Sequence, residues 1–131
     1  MGRAWEYAAR AGTSTKFPSG DTPDTLCNYA NMKDRRFRVA ARRDHGLDML
    51  VTDCNDGAPY TTVAGMYKPN AFRVHDVMGN VAERVADCEH ANYQDAPAEG
   101  SAWNRDCRND DGEDYFITRG GSYSSSRQVM T

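Results

Sequence analysis

The chain has 131 residues, a formal net charge of −3 and a mean hydropathy of −0.81. That length allows at most one domain of ordinary size, and a hydrophobic share of 39% makes its core thin. The acidic balance argues against nucleic acid or an anionic membrane as partner, and no apolar run approaches the ~20 residues a membrane helix requires.

The opening residues, MGRAWEYAAR, hold no apolar stretch of the signal-peptide kind, and Glu6 stands where a myristoylation motif needs Ser or Thr. Gly2–Ala11 is expected to form a short helix. Trp5, Ala8 and Ala9 fall on one face, Glu6 and Arg10 pair at i,i+4, and Gly12 is a natural stop. Thr13–Thr25 reads as loop, and Leu26–Met32 as a short ordered piece. Lys33, Arg35, Arg36, Arg38, Arg42 and Arg43 crowd one segment. Interleaved with Asp34 in an acidic chain, they read as a solvated face rather than an anion or RNA contact.

Leu47–Val51 is an apolar patch expected to tuck under a loop. Thr61–Tyr67 alternates weakly and is expected to be a strand. In Asn80–Ala86, Val81, Glu83 and Val85 share one side, which fits a strand or a single helical turn. Glu89–Asp114 is polar loop. Tyr115–Arg119 is the clearest strand and ends at Gly120-Gly121. No internal repeat or linker divides the chain.

Cys27, Cys54, Cys88 and Cys107 allow three pairings. They form no CxxC, and no histidine stands at zinc spacing from them. Pairing of neighbours would close loops of 27 and 19 residue steps, each stabilising by roughly 3–4 kcal/mol in the chain-entropy model. Paired cysteines would place the protein in an oxidising, extracytoplasmic compartment; the localisation otherwise stays open.

The segment Asn70–Cys88 brings Asp76, Gly79, Asn80 and Glu83 close together. Two carboxylates flanking a Gly turn can wrap oxygens round a hard cation, although capping of turns is the plainer account of Asp76 and Glu83 taken alone. The acidic run Asp106–Asp114 is not an EF-hand loop. With Gly112 at the obligatory sixth position, Cys107 and Thr118 fall where carboxylates are needed.

Several stretches, in this order, resemble the formylglycine-generating enzyme (sulfatase-modifying factor) family. They are Trp5–Gly12 (WEYAARAG), Asn28–Asn31 (NYAN), Asp56-Gly57, Lys68–Phe72 (KPNAF), Gly79–Val81 (GNV) with Glu83, Gly100–Trp103 (GSAW) and Arg119–Tyr123 (RGGSY). The resemblance implies an irregular, loop-rich α+β domain over residues 1–131, of C-type-lectin-like fold and incomplete at both ends. It implies two calcium sites. One would use the side chains of Asn31 and Asp56 with main-chain oxygens of Met32 and Ala58. The other would use Asp76 and Glu83 with main-chain oxygens of Gly79 and Val81.

The pattern breaks at catalysis. The resemblance implies two cysteines after the GGS segment that hold copper(I) for O2 chemistry, yet Ser125 and Met130 occupy those positions. Ser122 matches a family active-site serine. A hydroxyl and a thioether cannot form a bis-thiolate site, so copper is not expected. The Asp76 block departs too, with Ala82 and Arg84 in place of tryptophans, and Arg73-Val74-His75 in place of Gly-Leu-Tyr. The leading expectation is a calcium-stabilised domain without catalysis. The alternatives are a fragment of a copper/O2-dependent oxidase converting a protein cysteine to formylglycine, and a lectin-like module. The module would offer the loops Asp44–Asp53 and Glu89–Asp114 to a protein or peptide ligand.

Overall fold

The computed structural model describes residues 2–17, 19–90, 92, 94–105, 107 and 115–130. Two helices, α1 (Gly2–Arg10) and α2 (Arg35–His45), and two strands, β1 (Glu83–Cys88) and β2 (Phe116–Arg119), are joined by long irregular loops. Short 3-10 turns lie at Pro23–Asn28 and Arg127–Met130. The chain is a loop-rich α+β domain.

Helix α1 forms as the sequence leads one to expect. Arg10 Nε meets Glu6 Oε1 at 2.9 Å, and the chain leaves the helix through Ala11 and Gly12, both at positive φ. Asn70 pins the helix end by donating from Nδ2 to the carbonyls of Ala8 (2.6 Å) and Ala9 (3.1 Å). Those carbonyls belong to the last turn, where partners must come from outside the helix.

Helix α2 corrects the reading of Lys33–Arg43 as merely a solvated charged face. Asp34 caps it, with Oδ1 accepting from Phe37 N–H at 2.9 Å. Gly46, at φ 67°, closes it by donating to the carbonyls of Ala41 and Arg42. Phe37, Ala40 and Ala41 form a narrow buried stripe. The arginines do face solvent, where Arg38 pairs with Asp48 and Arg43 with Asp44, each at 2.6 Å.

Two further expectations fail. Leu47–Val51 is not tucked under a loop: Leu47 is 52% and Leu50 92% exposed. Thr61–Tyr67 is no strand, because its backbone pairing is taken by a side chain. Thr62 N–H donates to Asn80 Oδ1 (2.9 Å), and Asn80 Nδ2 donates back to Thr62 O (3.2 Å).

Strand β1 begins at Glu83 rather than Asn80 and pairs antiparallel with β2. Glu83 faces Arg119, Arg84 faces Thr118 and Cys88 faces Phe116, with an irregularity between Arg84 and Cys88. Ala82 and Arg84 are exposed, so the missing tryptophans leave no buried gap at these positions. The Arg84 guanidinium lies 3.7 Å from the Phe116 ring centroid.

All four cysteines are paired, as Cys27–Cys54 and Cys88–Cys107. The first bridge ties the Pro23–Asn28 turn to the loop after α2, across a small core of Phe17, Leu26, Ala30, Met32 and Met78. The second ties β1 to the polar loop. There Cys88 N–H also donates to Trp103 O (3.0 Å), and Trp103 N–H to Asp87 Oδ1 (2.8 Å). A thin core stapled in this way is what a short, polar chain needs.

Candidate metal centre

Two oxygen clusters sit on either side of one backbone contact. The first is built by two buried carboxylates whose oxygens organise main chain. Asp34 caps α2 with one oxygen and accepts from Asp56 N–H (2.6 Å) with the other. Asp56 in turn accepts from Met32 N–H and Ala58 N–H, both at 2.8 Å. The knot brings Asn31, Met32, Asp56 and Ala58 together. Asn31 Nδ2 donates to Tyr60 O (2.7 Å), which leaves Asn31 Oδ1 buried without a partner.

Burial pushes the Asp56 carboxyl up to about 6, against the opposing pull of the Ala58 and Met32 N–H groups; the nearby Asp34 charge adds to the rise. The Cys27 sulfur and carboxylate oxygens of Asp34 and Asp56 lie within 4.8 Å of one another. Because Cys27 is held in a disulfide, it offers no thiolate. The oxygen donors that remain suit a hard cation.

The second cluster starts from Asn70, whose Oδ1 accepts from Phe72 N–H (3.0 Å) and Val74 N–H (3.1 Å) and so folds the loop that carries Asp76. Asp76 sits at φ 55°, in the left-handed region. Its Oδ2 accepts from Gly65 N–H, while Oδ1 is buried without a partner. Glu83, at the head of β1, also has a buried, unpartnered oxygen, Oε2. Gly120 backs onto it. A Cβ there would lie 2.2 Å from Glu83 Oε2 and 2.9 Å from Val77 O, so only glycine fits. Burial pushes the Glu83 carboxyl up to about 7, opposed by hydrogen bonds from its own N–H and the Trp5 side chain and reinforced by the Asp76 charge.

The clusters meet where Asn31 forms an isolated parallel bridge with Gly79. Asn80 N–H donates to Asn31 O, and Gly79 N–H to Gly120 O, both at 2.8 Å. A Cβ at Gly79 would come within 1.9 Å of the Asn31 carbonyl oxygen.

Three of the four side chains expected to bind calcium, Asn31, Asp76 and Glu83, thus carry a buried oxygen with no hydrogen-bond partner. The fourth, Asp56, accepts one N–H on each oxygen and keeps lone pairs to spare. Leaving such an atom unsatisfied costs about 1–3 kcal/mol, more when it is charged, and a cation removes that cost. The donor set therefore fits a hard divalent ion. Of the main-chain positions, Met32, Ala58 and Gly79 are buried, whereas Val81 is 56% exposed.

Two residues near the site escaped sequence reasoning. Asp34 reads in the sequence as a charge between arginines, yet an Asp just before apolar residues at i, i+3 and i+4 is a helix-start signal. Tyr67 is buried, and burial, followed by the Asp56 charge, pushes its hydroxyl up to about 12. Asp34 and Asp76 add to that rise, so the phenol feels both clusters. No sequence pattern marks it.

The serine segment is a closed turn. Ser125 Oγ accepts from Ser122 N–H (2.9 Å), and Ser122 Oγ lies 3.1 Å from Ser124 Oγ and 3.3 Å from Ser125 Oγ. Lys33 N–H donates to Ser125 O (3.1 Å), and Tyr123 packs against Phe37 and Tyr60 at 6.0 Å. The Met130 side chain lies outside the described residues. In the polar loop, His90 stacks on Trp103 with ring centroids 3.5 Å apart.

The sulfatase-modifying factor enzyme 1-like domain matches residues 3–131. PvdO from Pseudomonas aeruginosa is similar in structure, with 31% sequence identity and a TM-score of 0.62, over 93% of this chain and 39% of that one. Treponema denticola variable protein 1 has the same fold at 22% identity and a TM-score of 0.59, over 96% of this chain and 36% of that one. The chain spans less than two fifths of the length of either structure. No curated protein matches it.

Proposed function

The chain belongs to the sulfatase-modifying factor enzyme 1-like domain family, and from that membership we propose that it is a calcium-stabilised domain without the family's oxidase chemistry. The observation that carries the calcium reading is the coincidence of the buried, unpartnered oxygens of Asn31, Asp76 and Glu83 with the expected ligand positions. Bound calcium would neutralise carboxylates that burial otherwise makes costly to ionise. Asn31 and Asp56 would hold one ion, with the main chain at Met32 and Ala58. Asp76 and Glu83 would hold the other, with the main chain at Gly79 and Val81.

The absence of oxidase chemistry is supported by the donor set. Ser125 and Met130 replace the expected thiolates, and all four cysteines are spent in disulfides. Ser125 and Met130 offer copper(I) no thiolate pair. The two bridges also favour an oxidising, extracytoplasmic setting. No helix among the described residues is long and apolar enough to cross a membrane.

Thermal denaturation in calcium and in EGTA tests the first part. The melting temperature is expected to rise with calcium in the wild type and to lose part of that rise in Asp56→Ala and in Asp76→Ala. Indifference of the wild type to both additions sinks the calcium reading. Copper(I)-dependent O2 uptake on a cysteine-containing peptide would overturn the second part. A ligand-binding role is a second reading, favoured by the stacked His90–Trp103 pair on a disulfide-tethered polar loop. It expects saturable binding of a glycan or peptide that survives Ser125→Ala.

A further inference from the structure

The two clusters are joined by two rigid peptide planes in series. A peptide unit is planar and trans, so its N–H and C=O point in opposite directions and turn together. In the first plane, Met32 N–H donates to Asp56 Oδ2 (2.8 Å), while the Asn31 carbonyl of the same unit accepts from Asn80 N–H (2.8 Å). In the second plane, that Asn80 N–H is coupled to the Gly79 carbonyl. A side-chain ligand of one site is thereby linked to a main-chain ligand of the other through a single hydrogen bond between two stiff units.

There is little slack in the joint. Gly79 lies so close that a Cβ would sit 1.9 Å from the Asn31 oxygen and 3.0 Å from its nitrogen. Asn80 is held at φ 59° by its two hydrogen bonds to Thr62, and its carbonyl accepts from Tyr123 N–H (3.0 Å). Asn31 itself contributes to both ends, with its side chain in the first site and its carbonyl against the wall of the second.

We propose that the two calcium sites are thermodynamically coupled through the Asn31–Met32 and Gly79–Asn80 peptide planes and fill cooperatively. This rests on the calcium reading above. An ion that orders Asp56 and Asn31 orients the first plane, which orients the second and presents the Gly79 carbonyl already aimed at the next ion. The second ion then binds to a site whose ordering cost has been met.

Calorimetric titration of the EGTA-stripped full chain with calcium chloride tests this. The wild type is expected to bind two ions, the second at least about five-fold more tightly than the first. Asp56→Asn, which keeps an oxygen for Met32 N–H, and Asp76→Asn each remove one site. Because coupling is reciprocal, the remaining site should weaken by the same factor in both variants. Two independent ions in the wild type, or remaining sites of unchanged affinity, overturn the coupling and leave the calcium reading standing. A wild type that binds no calcium overturns both. Should far-UV circular dichroism show that either variant has lost its fold, the wild-type isotherm alone decides.

Discussion

Replacing Gly79 by Ala drives a methyl group into the Asn31 carbonyl. The added Cβ would lie 1.9 Å from that oxygen and 2.8 Å from its carbon, both main-chain atoms that no side-chain rotation can move aside. Three effects add. The residue sits at φ 76°, where an L side chain costs roughly 1–2 kcal/mol. Forcing extra atoms into a packed contact costs about 1–3 kcal/mol. Separating the two segments weakens the Asn80 N–H to Asn31 O bond, worth about 0.5–1.5 kcal/mol. Together these give about 2.5–6.5 kcal/mol, a large share of the 5–15 kcal/mol typical of a folded domain. Gly57→Ala is the control: Gly57 has φ 92° but no atom within 4 Å of the added Cβ, so only the backbone cost of roughly 1–2 kcal/mol applies. The assay is urea denaturation in EGTA, followed by far-UV circular dichroism. Equal shifts of the urea midpoint for the two variants would refute the close Asn31–Gly79 contact.

Further outcomes are expected. Thiol titration of the unfolded, unreduced protein should find no free thiol, and each disulfide removed by a paired Cys→Ser change should cost roughly 3–4 kcal/mol in the urea midpoint. Four titratable thiols contradict both bridges. Asp34→Ala should cost about 1.5–5 kcal/mol, from a lost helix cap and an orphaned Asp56 N–H, read by urea denaturation with helix content followed at 222 nm. A loss under about 0.5 kcal/mol, the level of an ordinary surface change, contradicts the buried knot. In EGTA, stability should fall as pH rises from about 4 to about 7. Folded Asp56 and Glu83, pushed up to about 6 and about 7, still hold protons that unfolded carboxyls release from about pH 4 upward. Asp44 and Asp48, held low by Arg43 and Arg38, act in the opposite sense at more acidic pH. A urea midpoint that climbs from pH 4 to 7 contradicts the buried carboxyls.

Local chemistry made some of this legible and tertiary pairing hid the rest. Helix α1 announces itself because Glu6, Arg10 and Gly12 are local signals, and β2 because Phe116–Arg119 is a short run of β-formers. Helix α2 is hard to read because its charges drown a stripe of only Phe37, Ala40 and Ala41; the Asp34 and Gly46 caps are the better guide. Thr61–Tyr67 has strand-like alternation, but its backbone partner is the Asn80 side chain 18 residues on, which no window of local pattern can reveal. The candidate metal positions were named from a family resemblance. The residues alone left Asp76 and Glu83 as ordinary turn caps, and the positions of Asp34 and Tyr67 against them depend on long-range packing. The neighbour pairing of the cysteines was one of three the sequence allowed.

The second disulfide also bears on how freely this domain can vary. Chain leaving β1 at Glu89 returns at Tyr115, where Glu89 N–H donates to Tyr115 O (2.8 Å), and it is stitched midway by Cys88–Cys107 and by Cys88 N–H to Trp103 O. Closing a loop costs only about 0.6 kcal/mol more for each doubling of its length. The stretch between Glu89 and Trp103 is anchored at both ends. A short insertion between the exposed Ala98 and Glu99 should therefore leave the β1–β2 pair intact, read as an unchanged urea midpoint.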